Sequence, residues 1–105
     1  MMSAPYLAIA MALTVVAATP AATTVSIENF TFEPATITVP AGSAVTWVNH
    51  DDIPHLVAST DKLFKSSGLD TDDQYTMTFA KAGTFPYFCG LHPHITGTVI
   101  VTAAR

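Results

Sequence analysis

Cys89 and His92 stand three residues apart in the segment Tyr87-Phe88-Cys89-Gly90-Leu91-His92-Pro93-His94-Ile95-Thr96-Gly97. A thiol and an imidazole at that spacing, on a tight turn between two strands, can converge on one metal ion. A soft thiolate with imidazoles suits copper, zinc or iron, and electron-transfer copper sites use two His and one Cys near a trigonal plane. A second imidazole must then come from elsewhere. His55 follows Pro54 just before a strand, in Asn49-His50-Asp51-Asp52-Ile53-Pro54-His55. Strand–loop junctions at one end of a sandwich lie close together, so His55 can meet Cys89 and His92 there. His50 and His94 read as surface residues, and Asp70, Asp72 and Asp73 as a solvated acidic loop able to steer a basic partner.

These side chains must be held by short strands. From Thr24 onward, apolar and polar residues alternate with period two between turn signals. Val25 and Ile27, with Phe30 at the far end, alternate against Thr24, Ser26 and Glu28; Ile37 and Val39 alternate against Thr36 and Thr38 before the Pro40-Ala41-Gly42 turn. Val45, Trp47 and Asn49 form the next stripe, followed by Leu56 to Ser59, then Tyr75, Met77 and Phe79, then Thr84 to Cys89. Gly97 to Thr102 closes the series. Between Ser59 and Gln74 the alternation fails, and Asp61, Lys62, Lys65, Ser66 and Ser67 read as a surface excursion. Trp47 and Met77 read as core packing. The expectation is an all-β fold of seven to eight strands, an antiparallel Greek-key β-sandwich or small barrel.

Composition narrows the function. The chain has 105 residues, enough for one domain. Its first 22 residues hold 17 hydrophobic side chains and no charge. The apolar run from Tyr6 to Ala18, with small residues after it, is too short to span a bilayer and matches a secretory signal, although no Lys or Arg precedes it. The expected division is a signal peptide over 1–22, its cleavage site ambiguous and a retained N-terminal anchor the alternative, and a metal-binding domain over 23–105. A periplasmic or secreted protein, free of the membrane after signal removal, follows from that division, and a monomer is expected. Cys89 is the only cysteine, so no internal disulfide can reinforce the fold. The formal charge of −4, with Lys62, Lys65, Lys81 and Arg105 the only cations, argues against nucleic acid as a partner. No nucleophile-and-base arrangement or acid–base carboxylate pair can be placed, so an enzyme is not expected.

The motifs together resemble the cupredoxins, the small blue copper proteins. Phe32-Glu33-Pro34, Val39-Pro40-Ala41-Gly42-Ser43, Val45-Thr46-Trp47-Val48-Asn49 and Pro54-His55 carry the resemblance, with Ala82-Gly83-Thr84-Phe85 and Cys89-x-x-His92 completing it. It covers about Thr24 to Thr102, and the short ligand loop looks most like that of the amicyanins. The resemblance implies one type 1 copper held by His55, Cys89 and His92. It further implies that the Leu56 N–H donates to the thiolate and that Asn49 ties the two ligand loops together. The outer edge of His92, among Pro54, Leu91 and Pro93, would be the electron doorway to transient redox partner proteins. The family's axial methionine position falls on Ile95, which has no donor atom. Three outcomes stay open at Ile95: a working three-ligand site of raised potential, His94 swinging in as a substitute, or a site impaired for copper. The implied function is an exported electron carrier cycling Cu(II) and Cu(I), with copper delivery as the alternative.

Overall fold

The computed structural model describes residues 22–104, which contain eight strands and no helix. Residues 1–21, with nearly all of the expected leader, and Arg105 lie outside the described residues; Ala22 opens the first strand. In chain order the strands are β1 (Ala22–Glu28), β2 (Thr31–Glu33), β3 (Thr36–Pro40) and β4 (Ser43–Asn49), then β5 (Val57–Ser59), β6 (Gln74–Phe79), β7 (Gly83–Cys89) and β8 (His92–Thr102). They form two four-stranded sheets, ordered β2-β1-β4-β6 and β3-β8-β7-β5. The all-β sandwich is therefore present with eight strands.

Its sheets are mixed rather than antiparallel. β1 runs parallel to β4 and β3 parallel to β8, while the other neighbours are antiparallel. Alternation along a strand reports which face is buried, not the direction of the neighbour, so the sequence could not distinguish these pairings. β4 shows the alternation at its cleanest: Val45, Trp47 and Asn49 are buried while Ala44, Thr46 and Val48 are half-buried. β2 is a separate strand because Asn29 and Phe30 adopt positive φ (53° and 59°) and turn the chain back on β1. β8 begins at His92 rather than Gly97, because Gly90 and Leu91 alone make the turn from β7. Pro93 is tolerated there because β3 joins β8 only from Thr98 onward, leaving that flank of the strand unpaired by β3.

Trp47 lies at the centre of the core, with the rings of Phe64, Tyr75, Phe79 and Tyr87 between 5.3 and 6.4 Å away. The stretch from Thr60 to Asp73 is irregular but is not wholly surface. Phe64, Ser66 and Leu69 are buried in it, and Phe64 also meets Phe79 edge-on at 5.4 Å. Period-two reasoning misses these residues because a loop buries side chains without periodicity.

One register places the functional end. β5 pairs antiparallel with β7, and Val57 sits opposite Cys89. The segment entering β5 therefore lies beside the turn that leaves β7. Asn49, at the end of β4, and the β1–β2 turn reach the same end, since Asn49 pairs with Ile27 in parallel register.

Two stability predictions arise from Tyr87. A Cβ on Gly97 would lie under 3.0 Å from the Tyr87 ring, so Gly97→Ala overpacks the sandwich. The expected cost is about 1–3 kcal/mol, with a Tm fall of about 4–8 °C per kcal/mol, read by calorimetry. Tyr87 is buried, which pushes its phenol up from 10.0 to about 12 against the opposing pull of the Trp47 side chain. Its contribution to stability is complete below pH 10 and is lost as pH rises toward 12. Wild type should lose on the order of 2–3 kcal/mol more than Tyr87→Phe across that window, measured by urea unfolding.

Candidate metal centre

Backbone hydrogen bonds bring the chemistry together. The His55 N–H donates to the Leu69 carbonyl at 3.0 Å, and the Leu69 N–H returns a bond to the His55 carbonyl at 2.7 Å. The Gly90 N–H donates to the Leu56 carbonyl at 2.9 Å, joining the His55 segment to the β7–β8 turn. A Cβ on Gly90 would press on the Leu56 Cδ2 methyl at 2.6 Å, so a larger residue there requires the Leu56 side chain to shift. The Leu56 N–H then points at Cys89 Sγ, 3.4 Å away.

Cys89 Sγ lies 3.5 Å from His55 Nδ1 and 3.7 Å from His92 Nδ1. One ligating atom from each of the three residues falls within 4.8 Å of the others. His55 and Cys89 are completely buried, and His92 is half-buried. Among the described residues this is the only group of three or more His, Cys, Asp or Glu side chains gathered closely enough to hold an ion.

His55 is aimed by a carboxylate. Asp51 Oδ2 accepts from His55 Nε2 at 2.8 Å, which places the ring proton on Nε2 and leaves the Nδ1 lone pair facing the sulfur. Asp51 also accepts the backbone N–H of Asn29 at 2.7 Å and of Phe30 at 2.9 Å. Burial alone would raise the Asp51 carboxyl, but the Phe30 N–H, the His55 ring and the Asn29 N–H hold it below its usual 3.8. Asp51 is therefore ionised at neutral pH and accepts from all three.

Asn49 is buried and fully engaged. Its amide donates to the Ile53 and Leu69 carbonyls at 2.9 and 2.8 Å, and its carbonyl accepts the Asp51 N–H at 2.9 Å. These partners all lie on the His55 side, so Asn49 braces that loop against the segment around Leu69 and does not reach the Cys89 loop. The link between the two ligand loops is instead the backbone of Leu56.

Two contributors escaped sequence reasoning. Asp51 carried no signal, because an Asp four residues before a His implies proximity only on a helix. Phe30 was assigned to the end of the first strand. Positive φ takes it out of that strand and sets its ring edge-on to both imidazoles, with centroids 5.7 Å from His55 and 5.8 Å from His92. Asn29, a residue that tolerates positive φ, was the available clue.

Other candidates fall outside the group. His50 is exposed; His94 is exposed and stands perpendicular to His92 at 6.4 Å between centroids. Ile95 is buried in the core cluster with Cys89 and carries no donor. Met77, the only methionine among the described residues, sits in β6 opposite Val45. Phe30 and Leu91 are about half exposed beside exposed Pro54 and Pro93, so an apolar rim surrounds His92. Two imidazole nitrogens and one thiol, without a carboxylate in the set, fit a soft ion such as copper.

Comparison with known proteins identifies relatives of the chain. The cupredoxin-like domain family matches residues 2–101. The chain is 37% identical over 85 residues to amicyanin of Paracoccus versutus, covering 76% of this chain and 64% of that protein. It is 34% identical over 96 residues to amicyanin-alpha of Methylorubrum extorquens, covering 86% and 81%. The chain thus spans just under two thirds of the length of the two Paracoccus amicyanins that it matches. Among solved structures, a purple cupredoxin from Nitrosopumilus maritimus aligns with a TM-score of 0.73 at 30% identity, over 76% of this chain and 99% of that one. Paracoccus versutus amicyanin aligns with a TM-score of 0.72 at 36% identity, over 77% and 81%. The chain belongs to the cupredoxin-like family.

Proposed function

We propose that this protein is a one-electron carrier whose single type 1 copper is held by His55 Nδ1, Cys89 Sγ and His92 Nδ1. The observation that carries the reading is the convergence of these three atoms within 4.8 Å at a buried thiol. The ion, when bound, supplies the Cu(II)/Cu(I) couple. The chain's own residues supply rigidity. Asp51 fixes the His55 tautomer, Asn49 braces the loop below it, and the Leu56 N–H stabilises negative charge on the sulfur. A scaffold of this kind keeps its donors in place through both oxidation states, which is what fast electron exchange needs.

His92 is the donor nearest solvent, and the apolar rim of Phe30 and Leu91 lets a redox partner approach its edge. Such partners bind transiently, as small apolar patches with few anchors do. Ile95 stands where the resemblance places a methionine and offers no donor atom, so a bound copper would have only the three strong donors. Low coordination favours Cu(I), so the potential is raised. The charge-free apolar run within residues 1–22 supports export of the body to the periplasm or beyond.

Adding Cu(II) should produce an intense visible band from thiolate-to-copper charge transfer, together with a reversible voltammetric wave. Cys89→Ser should abolish the band; colourless uptake of Cu(II) by the wild type would sink the proposal. Ile95→Met places a thioether beside the site and should lower the potential. A shift of about 60 mV corresponds to a tenfold change in the Cu(II)/Cu(I) ratio for one electron. An unchanged or raised potential would show that position 95 does not face the ion.

A further inference from the structure

The segment between β5 and β6 carries a feature that the metal centre does not use. Phe64 inserts into the core against Trp47 and Phe79, and this anchors the adjoining residues outside. The turn is pinned further by the Ser59 N–H to the Phe64 carbonyl at 2.9 Å and the Thr60 N–H to the Pro86 carbonyl at 3.0 Å. On this fixed turn Leu63 is left 60% exposed, the most exposed large hydrophobic side chain among the described residues.

Two open grooves meet at Leu63 and Phe64. One, of about 580 Å³, is lined by Lys62, Lys65 and Phe88; the other, of about 220 Å³, is flanked by Lys81. Every lysine of the chain therefore borders this one apolar strip. None forms an ion pair with a carboxylate among the described residues. In a chain of net charge −4 this strip gathers three lysines against one acid, the exposed Asp61 beside Lys62. Five of the eight acids, Asp51, Asp52, Asp70, Asp72 and Asp73, lie instead on the loops around Asn49 and His55.

We propose that the Leu63 strip with Lys62, Lys65 and Lys81 docks an acidic protein surface. An apolar strip with a charged rim has the anatomy of a protein interface, and unpaired ammonium groups select a partner of opposite charge. Phe88 lines the groove and directly precedes Cys89, so a docked partner would sit one residue from the sulfur. That the partner is a redox protein rests on the carrier reading above; the docking itself does not need copper.

The test is a titration of isotope-labelled full-length protein, both metal-free and Cu(I)-loaded, with poly-L-glutamate, followed by amide NMR. Shifts should concentrate on Ser59 to Lys65, Phe88 and Gly90 in both forms. They should vanish on raising salt from about 0.01 M to about 1 M, where the Debye length falls from about 30 Å to about 3 Å. Lys62→Glu/Lys65→Glu/Lys81→Glu should weaken binding by about tenfold or more, and the Lys→Gln triple variant by less. The proposal is overturned by shifts centred elsewhere, by undiminished binding in the Glu variant, or by tighter binding of a single-stranded oligonucleotide. Concentration-dependent broadening of the same amides without poly-L-glutamate also overturns it, since the occupant is then a second copy. Loss of the copper-dependent colour with intact poly-L-glutamate binding would fault the carrier reading alone.

Discussion

The antiparallel register that sets Val57 opposite Cys89 is the constraint on which the rest of the site depends. It brings the Leu56 N–H to the sulfur and the Leu56 carbonyl to the Gly90 N–H, so one residue serves both loops. A register slip of one residue would turn Val57 to the other face and carry His55 away from the thiol. β5 is only three residues long, and its ladder alone would fix that register weakly. The reciprocal bonds between Leu69 and His55, and the bond that the Val57 N–H donates to the Ser66 hydroxyl oxygen, compensate by holding the strand from its other side.

Around this register the polar groups form one connected unit. Asn49 holds the Asp51 N–H, and the Asp51 carboxylate holds His55 and the two turn amides of Asn29 and Phe30. Phe30 then closes the circuit by resting edge-on against both imidazoles. A buried Asn is costly unless satisfied, and here three of its hydrogen-bonding positions are used. The β1–β2 turn, remote from the histidines in sequence, is thereby made part of the end that gathers His55, Cys89 and His92.

Much of this was legible from residue order, and what was not has identifiable causes. Alternation in Val45, Trp47 and Asn49 marked the inner face of β4, because a strand with one buried face prints period two into its sequence. Cys89 and His92 were legible because a two-residue turn keeps them near each other regardless of the remaining fold. The parallel pairings were not, since alternation records which face of a strand is buried and not the direction of its neighbour. Phe64 and Leu69 were hidden by lying in an aperiodic loop, and Asp51 by acting through tertiary contacts that no local spacing encodes. Phe30 was misplaced because its positive φ runs against the preference of a bulky residue.

The gradient of exposure across the three donors imposes an order of access. Cys89 and His55 have no solvent-accessible surface, whereas His92 retains some at the end of the molecule bounded by Phe30 and Leu91. The imidazole of His92 is thus the first donor that anything arriving from solution can meet, and the sulfur lies behind it. The same gradient shelters the thiol from alkylating and oxidising reagents, which act on accessible thiolates. Burial therefore leaves the Cys89 thiol reachable only past the His92 side of the site.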